Sequence, residues 1–180
     1  DGEAAWNLGA YPLDRGEATL AGALRSGGPR GMAETRFHAS IDRPVGRGIP
    51  GEFGWGYDGV DLFAPPRLCG TPDDLRALVD AAHGLGLAVV LDVVYNHFGP
   101  RGNFLRELSP HYFTDRHENE WGDAIDYDGP CSGPVREMVL ANVEHWIGEY
   151  HFDGLRLDAT QDIKDASPEH LLAAIARRAR

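Results

Sequence analysis

Apolar positions change their period several times after residue 70, and each change marks an element. Leu75, Leu78, Val79 and Ala82 recur at helical spacing. Thr71-Pro72-Asp73-Asp74 precedes them with a cap, a proline at the first helical position and acids at the positive end of the helix dipole. Gly84 and Gly86 end this helix. Leu87 to Tyr95 is a short continuous run rich in valine, which predicts a strand buried on both faces, as in a parallel sheet. Val135, Met138, Val139, Asn142, Val143, Trp146, Ile147 and Tyr150 then form a second stripe, predicting a helix capped by Ser132. Phe152 to Asp158 reads as a second strand. Ser167-Pro168-Glu169 opens a third helix, with Leu171, Leu172, Ile175 and Ala176 as its apolar face.

The order helix, strand, long loop, helix, strand, helix predicts an α/β fold with parallel strands and right-handed crossovers. Residues 96–132 carry Gly-Pro, Ser-Pro, aromatic residues and scattered acids without a period. A connection of roughly 37 residues is far longer than usual and points to a functional lid or a small inserted subdomain. Residues 1–50 predict no element beyond one or two helical turns at Ala18 to Leu24.

Composition removes several function classes. The 180 residues hold 17 Lys+Arg against 28 Asp+Glu, a net charge of -11, which lacks the basic face of a nucleic-acid binder or a membrane-surface protein. There is no run of apolar residues long enough to span a bilayer and no basic segment leading into an apolar one, so a cytoplasmic protein is expected. Cys69 and Cys131 make neither a disulfide framework nor a metal motif, and are expected as reduced thiols. No cofactor, metal, nucleic acid or membrane is expected as a partner. The chain starts without Met and stops at Arg177-Arg178-Ala179-Arg180 without a helix-stop signal, so a piece of a longer protein is expected.

The two strands carry the chemistry. Period two places Arg156 and Asp158 on one face of the second strand, with Leu155 and Leu157 on the other. A neighbouring cation favours the ionised form of a carboxylate, which can then act as nucleophile or electrostatic stabiliser. From this pair alone a catalytic pair and a structural ion pair both stay open. Asp92 lies inside an apolar strand and needs a partner there, for which Arg156 is the natural candidate. Asn96 and His97 follow at the same end. Polar residues at the C-terminal ends of two parallel strands fit the rim where α/β barrels hold their active sites.

Asp92-Val93-Val94-Tyr95-Asn96-His97 and Gly154-Leu155-Arg156-Leu157-Asp158-Ala159, roughly 60 residues apart, closely resemble two signature regions of the α-amylase superfamily of glycoside hydrolases. The run Gly54-Trp55-Gly56-Tyr57-Asp58-Gly59-Val60-Asp61-Leu62-Phe63-Ala64-Pro65 narrows the resemblance, together with Tyr112-Phe113-Thr114-Asp115 and Trp121-Gly122-Asp123-Ala124-Ile125. With these motifs the chain is similar to the malto-oligosyltrehalose trehalohydrolase family, which cuts the α-1,4 bond next to a terminal trehalose unit. The resemblance covers about residues 51–180. It implies a partial (β/α)8 TIM barrel, about strands 2 to 4 with their helices, and a cleft-forming insertion at 96–132.

It also implies roles. Asp158 would be the nucleophile of a retaining glycosidase and Arg156 the group that orients it. Asn96 and His97 would line one sugar subsite, Asp92 would hold the framework through Arg156, and Tyr57 would stack on the sugar, with Trp55 beside it. Phe113, Asp115 and Trp121 would help shape the small inserted domain that walls the cleft. The substrate would be an α-glucan or malto-oligosyltrehalose. A retaining glycosidase needs a second carboxyl about 5 to 5.5 Å from the nucleophile. The family carries that acid/base Glu on the next strand and a third carboxylate further on, so neither Asp162 nor Asp165 is assigned to the role, and the isolated chain is expected to be inactive.

Ser40-Ile41-Asp42-Arg43-Pro44-Val45 departs from the family's second strand, leaving residues 1–50 divergent or frame-shifted, and Cys69 stands where an aromatic residue is commoner. Two rivals remain: a branching or debranching enzyme of the same superfamily, and a non-catalytic amylase-like binding protein. A doubly wound nucleotide-binding domain is excluded, because no Gly-rich turn follows the first strand.

Overall fold

The structure, a computed structural model, describes residues 35–38, 57–65, 70–100 and 102–180. Trp55, Cys69, the 18–24 segment and the junction at residues 50–51 lie outside the described residues.

Three parallel strands form the sheet in the order β1 (Thr35–His38), β2 (Val89–Val94), β3 (Gly154–Asp158). β1 falls within residues 1–50, a stretch that the sequence pattern leaves unassigned. Thr-Arg-Phe-His has no apolar run to announce a strand, and it is defined by its ladder to β2. In β2, Val89, Leu91, Asp92 and Val93 are buried, with Val90 and Val94 half-buried. β3 is half-buried at all five positions.

Helix α1 (Pro72–Gly84) starts as its sequence dictates: the Thr71 hydroxyl accepts from the Asp74 N–H, and the Asp74 carboxylate accepts from the Thr71 N–H, a reciprocal capping box. It ends on Leu85 with Gly86 at φ +73, where the Gly86 N–H reaches His83 O and the Leu87 N–H reaches Ala82 O. Asp153, just before β3, accepts from the Val89 N–H at 2.7 Å and pairs with His83 of α1 at 2.9 Å. The start of β2 is thereby tied to both neighbours.

Residues 96–132 contain their own elements: a helical turn α2 (Leu105–Leu108), a 3-10 turn at Pro110–Tyr112, and an antiparallel bridge between Phe113 and Ile125. Phe113, Ile125 and Tyr127 are buried in the same core as β2, so this excursion is anchored rather than draped.

The chain returns through α3 (Gly133–Glu144), which continues as a π-helical turn over His145–Glu149. Ser132 stands at the cap position without donating or accepting a side-chain bond there, contrary to expectation. Its backbone is already helical, and Pro134 removes the N–H that a cap at the second helical position would bond. The last helix, α4 (Leu171–Arg178), begins later than Ser167-Pro168-Glu169 suggests. His170 is its cap, accepting the Leu172 N–H through Nδ1 at 3.2 Å. Ser167 serves the preceding turn instead, donating its hydroxyl to Tyr127 O. Ala174, not Ala176, shares the buried face with Leu171 and Ile175, and Ala176 is exposed.

Candidate active site

The register of β2 on β3 sets Asp92 beside Arg156 and Val94 beside Asp158. Side chains two residues apart on a strand share a face, so Asp92, Arg156 and Asp158 meet at the C-terminal end of the sheet. Arg156 Nη1 donates to both Asp92 carboxylate oxygens at 2.9 Å and lies 2.6 Å from Asp158 Oδ1. Asp92 is buried while Asp158 keeps 29% of its side chain exposed, so the arginine links a sealed acid to an accessible one. The Asp92 carboxylate holds the guanidinium firmly charged, raising its pKa above the ordinary arginine value despite partial burial.

Tyr57 reaches this group from the 57–63 segment, its hydroxyl 3.5 Å from Asp92 Oδ2. Burial raises the phenol pKa, and the Asp92 and Asp158 charges raise it further, so the hydroxyl stays protonated.

Asn96 and His97 lie in the loop leaving β2, both buried. His97 Nδ1 is 3.2 Å from Asn96 Oδ1, an acceptor only, so the proton of that contact belongs to the histidine. Burial lowers the His97 pKa, outweighing the opposing pull of Asp58, Asp162 and Asp158, and the ring is neutral near pH 7. Asn96 Nδ2 and His97 Nε2 are buried without a hydrogen bond. Unsatisfied buried polar atoms are rare and costly in folded proteins, and each calls for a physical account such as a catalytic role or a bound group.

Of the residues expected from sequence, the structure brings Tyr57, Asp92, Asn96, His97, Arg156 and Asp158 to one strand-end rim; Trp55 lies outside the described residues. Phe113 lies within the 96–132 excursion, bridged to Ile125. It is buried in the core, edge-on to Phe98 at 5.9 Å, because its strand-like bridge turns it inward. Trp121 is 57% exposed. Asp115 lines an open polar cavity of about 700 Å³ with Thr114, Asn119, Gly122, Asp162 and Lys164. Gly122 places this cavity next to the rim, since a Cβ there would lie 3.9 Å from His97 Cβ.

Three residues were missed. Asp58 Oδ1 stands 3.6 Å from His97 Nε2, and only its position next to Tyr57 signalled it. Asn119 donates to Asn96 O at 2.7 Å across 23 positions, a contact with no local signature. Gly99 packs on Asp58. Asp165 is committed elsewhere: its carboxylate pairs with Arg136 at 2.5 Å and accepts from the Ser167 and Leu171 N–H groups. Among the described residues, no group of three or more His, Cys, Asp or Glu could hold a metal ion, and no helix is long and apolar enough to cross a membrane.

Residues 44–127 match the family described as alpha amylase, catalytic domain. The chain is similar to the malto-oligosyltrehalose trehalohydrolase of Deinococcus radiodurans, 54% identical over 127 residues, which cover 71% of this chain and 21% of that protein. The enzyme of the same name from Saccharolobus solfataricus is 51% identical over 128 residues, covering 71% and 23%. A 1,4-alpha-glucan branching enzyme from Mycobacterium bovis is 40% identical over 112 residues, covering 58% and 15%. Among solved structures, one from Salmonella typhimurium assigned to the alpha-amylases superposes with a TM-score of 0.68 at 45% identity, covering 79% of this chain and 23% of the other. The chain spans about a fifth of the length of the trehalohydrolases it matches. These likenesses imply a (β/α)8 barrel fold; the sheet of the described residues has three parallel strands.

Proposed function

We propose that this chain, whose residues 44–127 match the alpha-amylase catalytic domain family, supplies the nucleophile half of a retaining glycoside hydrolase that releases trehalose from malto-oligosyltrehalose. The sheet would then be about the second to fourth strands of the barrel. The observation that carries the reading is the bonded series Asp92, Arg156, Asp158 at the ends of paired parallel strands. A nucleophile has to be ionised, aimed and accessible. Arg156 favours the charged form of Asp158 and fixes its direction, and the buried Asp92 fixes Arg156 in turn.

Asn96 and His97 serve the sugar. Their unsatisfied buried atoms gain partners when hydroxyl groups dock there, and the neutral imidazole neither competes with Arg156 for Asp158 nor repels it. Tyr57, held near Asp92, offers its ring face to the same sugar. Asp158 attacks the anomeric carbon, the glycosidic oxygen leaves with a proton from the acid/base, and water then releases the covalent sugar with the anomeric configuration kept. Asp165 is excluded as that acid/base by its buried pairing with Arg136.

The test uses the full-length protein. Wild type is expected to release trehalose from malto-oligosyltrehalose, with the α-anomer of the remaining glucan appearing first by NMR. Asp158→Asn is expected to lower kcat by on the order of 10³-fold or more. First appearance of the β-anomer would overturn the retaining mechanism. The likeness to a branching enzyme supports one rival, in which a sugar hydroxyl replaces water as acceptor; new α-1,6 linkages in the products would favour it.

A further inference from the structure

Gly99 lies two residues beyond His97 in the loop leaving β2, and its backbone rests directly on the Asp58 carbonyl. A Cβ at this position would sit 1.9 Å from Asp58 O and 2.6 Å from Asp58 C. The obstacle is backbone, which cannot rotate away as a flexible side chain can. The same two segments are joined by a hydrogen bond from the Gly99 N–H to Gly59 O at 3.2 Å. Further along, Asn142 Nδ2 donates to Leu62 O at 2.6 Å and His145 Nε2 to Phe63 O at 2.8 Å. Residues 57–63 are thus pinned along their length, with the tightest approach at the end that carries Tyr57 and Asp58.

We propose that Gly99 is a positioning residue of this site: its missing side chain lets residues 57–63 lie flush against the β2 exit, which fixes the Tyr57 hydroxyl near Asp92 and the Asp58 carboxylate near His97. The proposal rests on the functional reading above. With a methyl group at 99, the Asp58 carbonyl has to retreat by more than 1 Å to reach ordinary contact, which begins at 3.4 Å. Tyr57 and Asp58 move with it, while β2, β3 and the Arg156 pairs stay in place.

The experiment is a double-mutant cycle on the full-length protein, reading trehalose release from malto-oligosyltrehalose. Gly99→Ala is expected to lower kcat/KM on the order of 10²-fold, the usual result of an ångström-scale misplacement. In a Tyr57→Ala background the same change is expected to cost on the order of tenfold less than in wild type, because the share that runs through the Tyr57 ring is already lost and only the share through Asp58 remains. Gly133→Ala, where a Cβ meets nothing within 4 Å, is the control and keeps wild-type kinetics. Equal effects of Gly99→Ala in both backgrounds would overturn the proposal, since a purely structural glycine gives additive losses.

If Gly99→Ala is insoluble, His145→Ala replaces it. That variant loosens the far end of the same segment without a clash, and is expected to show a smaller loss that again shrinks with Tyr57→Ala; wild-type kinetics would overturn the proposal. Hydrogen exchange over residues 57–63 separates this inference from the functional reading. Exchange is expected to rise in Gly99→Ala, or in His145→Ala where that stands in, and not in Gly133→Ala, whatever the turnover. Unchanged exchange overturns the positioning role, whereas a wild-type protein that releases no trehalose overturns the function instead.

Discussion

At the scale of single residues, the buried acids are divided by their partners. Asp92 and Asp165 are both sealed from solvent, yet Asp92 faces a strand-end rim through Arg156 and Asp165 faces inward through Arg136. Arg136 also donates to Tyr127 O and Glu169 O, so this second pair fastens the excursion and the approach to α4 onto α3. Asp165→Asn leaves the guanidinium without its anion, and the expected loss is about 3 kcal/mol in chemical denaturation. Burial opposes ionisation of Asp165, but hydrogen bonds from Ser167, Arg136 and Leu171 outweigh it and lower its pKa below the ordinary 3.8. A lowered folded pKa contributes stability that is complete above the ordinary value and fades as pH falls through the folded one. The gap between wild type and Asp165→Asn should therefore be constant near neutral pH and narrow only below pH 3.8. A gap that narrowed between pH 7 and 5 would assign the stabilisation to another group. In sequence, Asp92 stands inside an apolar strand and calls for a cation, whereas Asp165, between Lys164 and Ala166, carries no such mark. The commitment of Asp165 to Arg136, 29 positions away, shows only once the chain has folded.

At the scale of elements, a start or stop signal defines a helix only where no distant group competes for the same N–H groups. α1 carries both halves of its capping box within four residues and its Schellman end within the next turn, so nothing distant is needed to define it. Thr71→Ala should lower stability by about 1 kcal/mol. Gly86→Ala forces a side chain into φ +73 and should cost about 1 kcal/mol as well. Thermal melts of the two single variants and the double variant check both, with near-additive shifts expected because the caps lie a whole helix apart. α4 shows the opposite case. Ser167-Pro168-Glu169 satisfies every local rule for a helix start, but Asp165 captures the Ser167 and Leu171 N–H groups, and the helix begins only after His170. Ala174 and Ala176 are equally apolar, and packing against α3 picks the first.

At the scale of the whole molecule, β2 is the common wall. It pairs with both other strands, and Leu91, fully buried, stands level with Phe37 and Leu155 in the two ladders. Leu91→Ala should destabilise the protein by about 2–5 kcal/mol through lost burial and the cavity left behind, measured by chemical denaturation. A polar network crosses the same core: Asn142 accepts from the Tyr95 hydroxyl and Trp146 Nε1 while donating to Leu62 O. It joins α3 to the 57–63 segment and so connects the back of the sheet to the rim. The sequence by itself determined the alternation of helix and strand, the valine-rich strand β2, and the identity of the residues at the strand ends, because period and capping are properties of neighbours in the chain. It also determined that Asp92 needs a cation, since an isolated buried charge is prohibitively unfavourable. Tertiary structure alone decided that β1 exists, that Phe113 turns into the core, that Asp58 faces His97, and that position 99 has no room for a side chain. Each of these depends on atoms brought together from distant parts of the chain, and their energies arise only when the chain has closed around them.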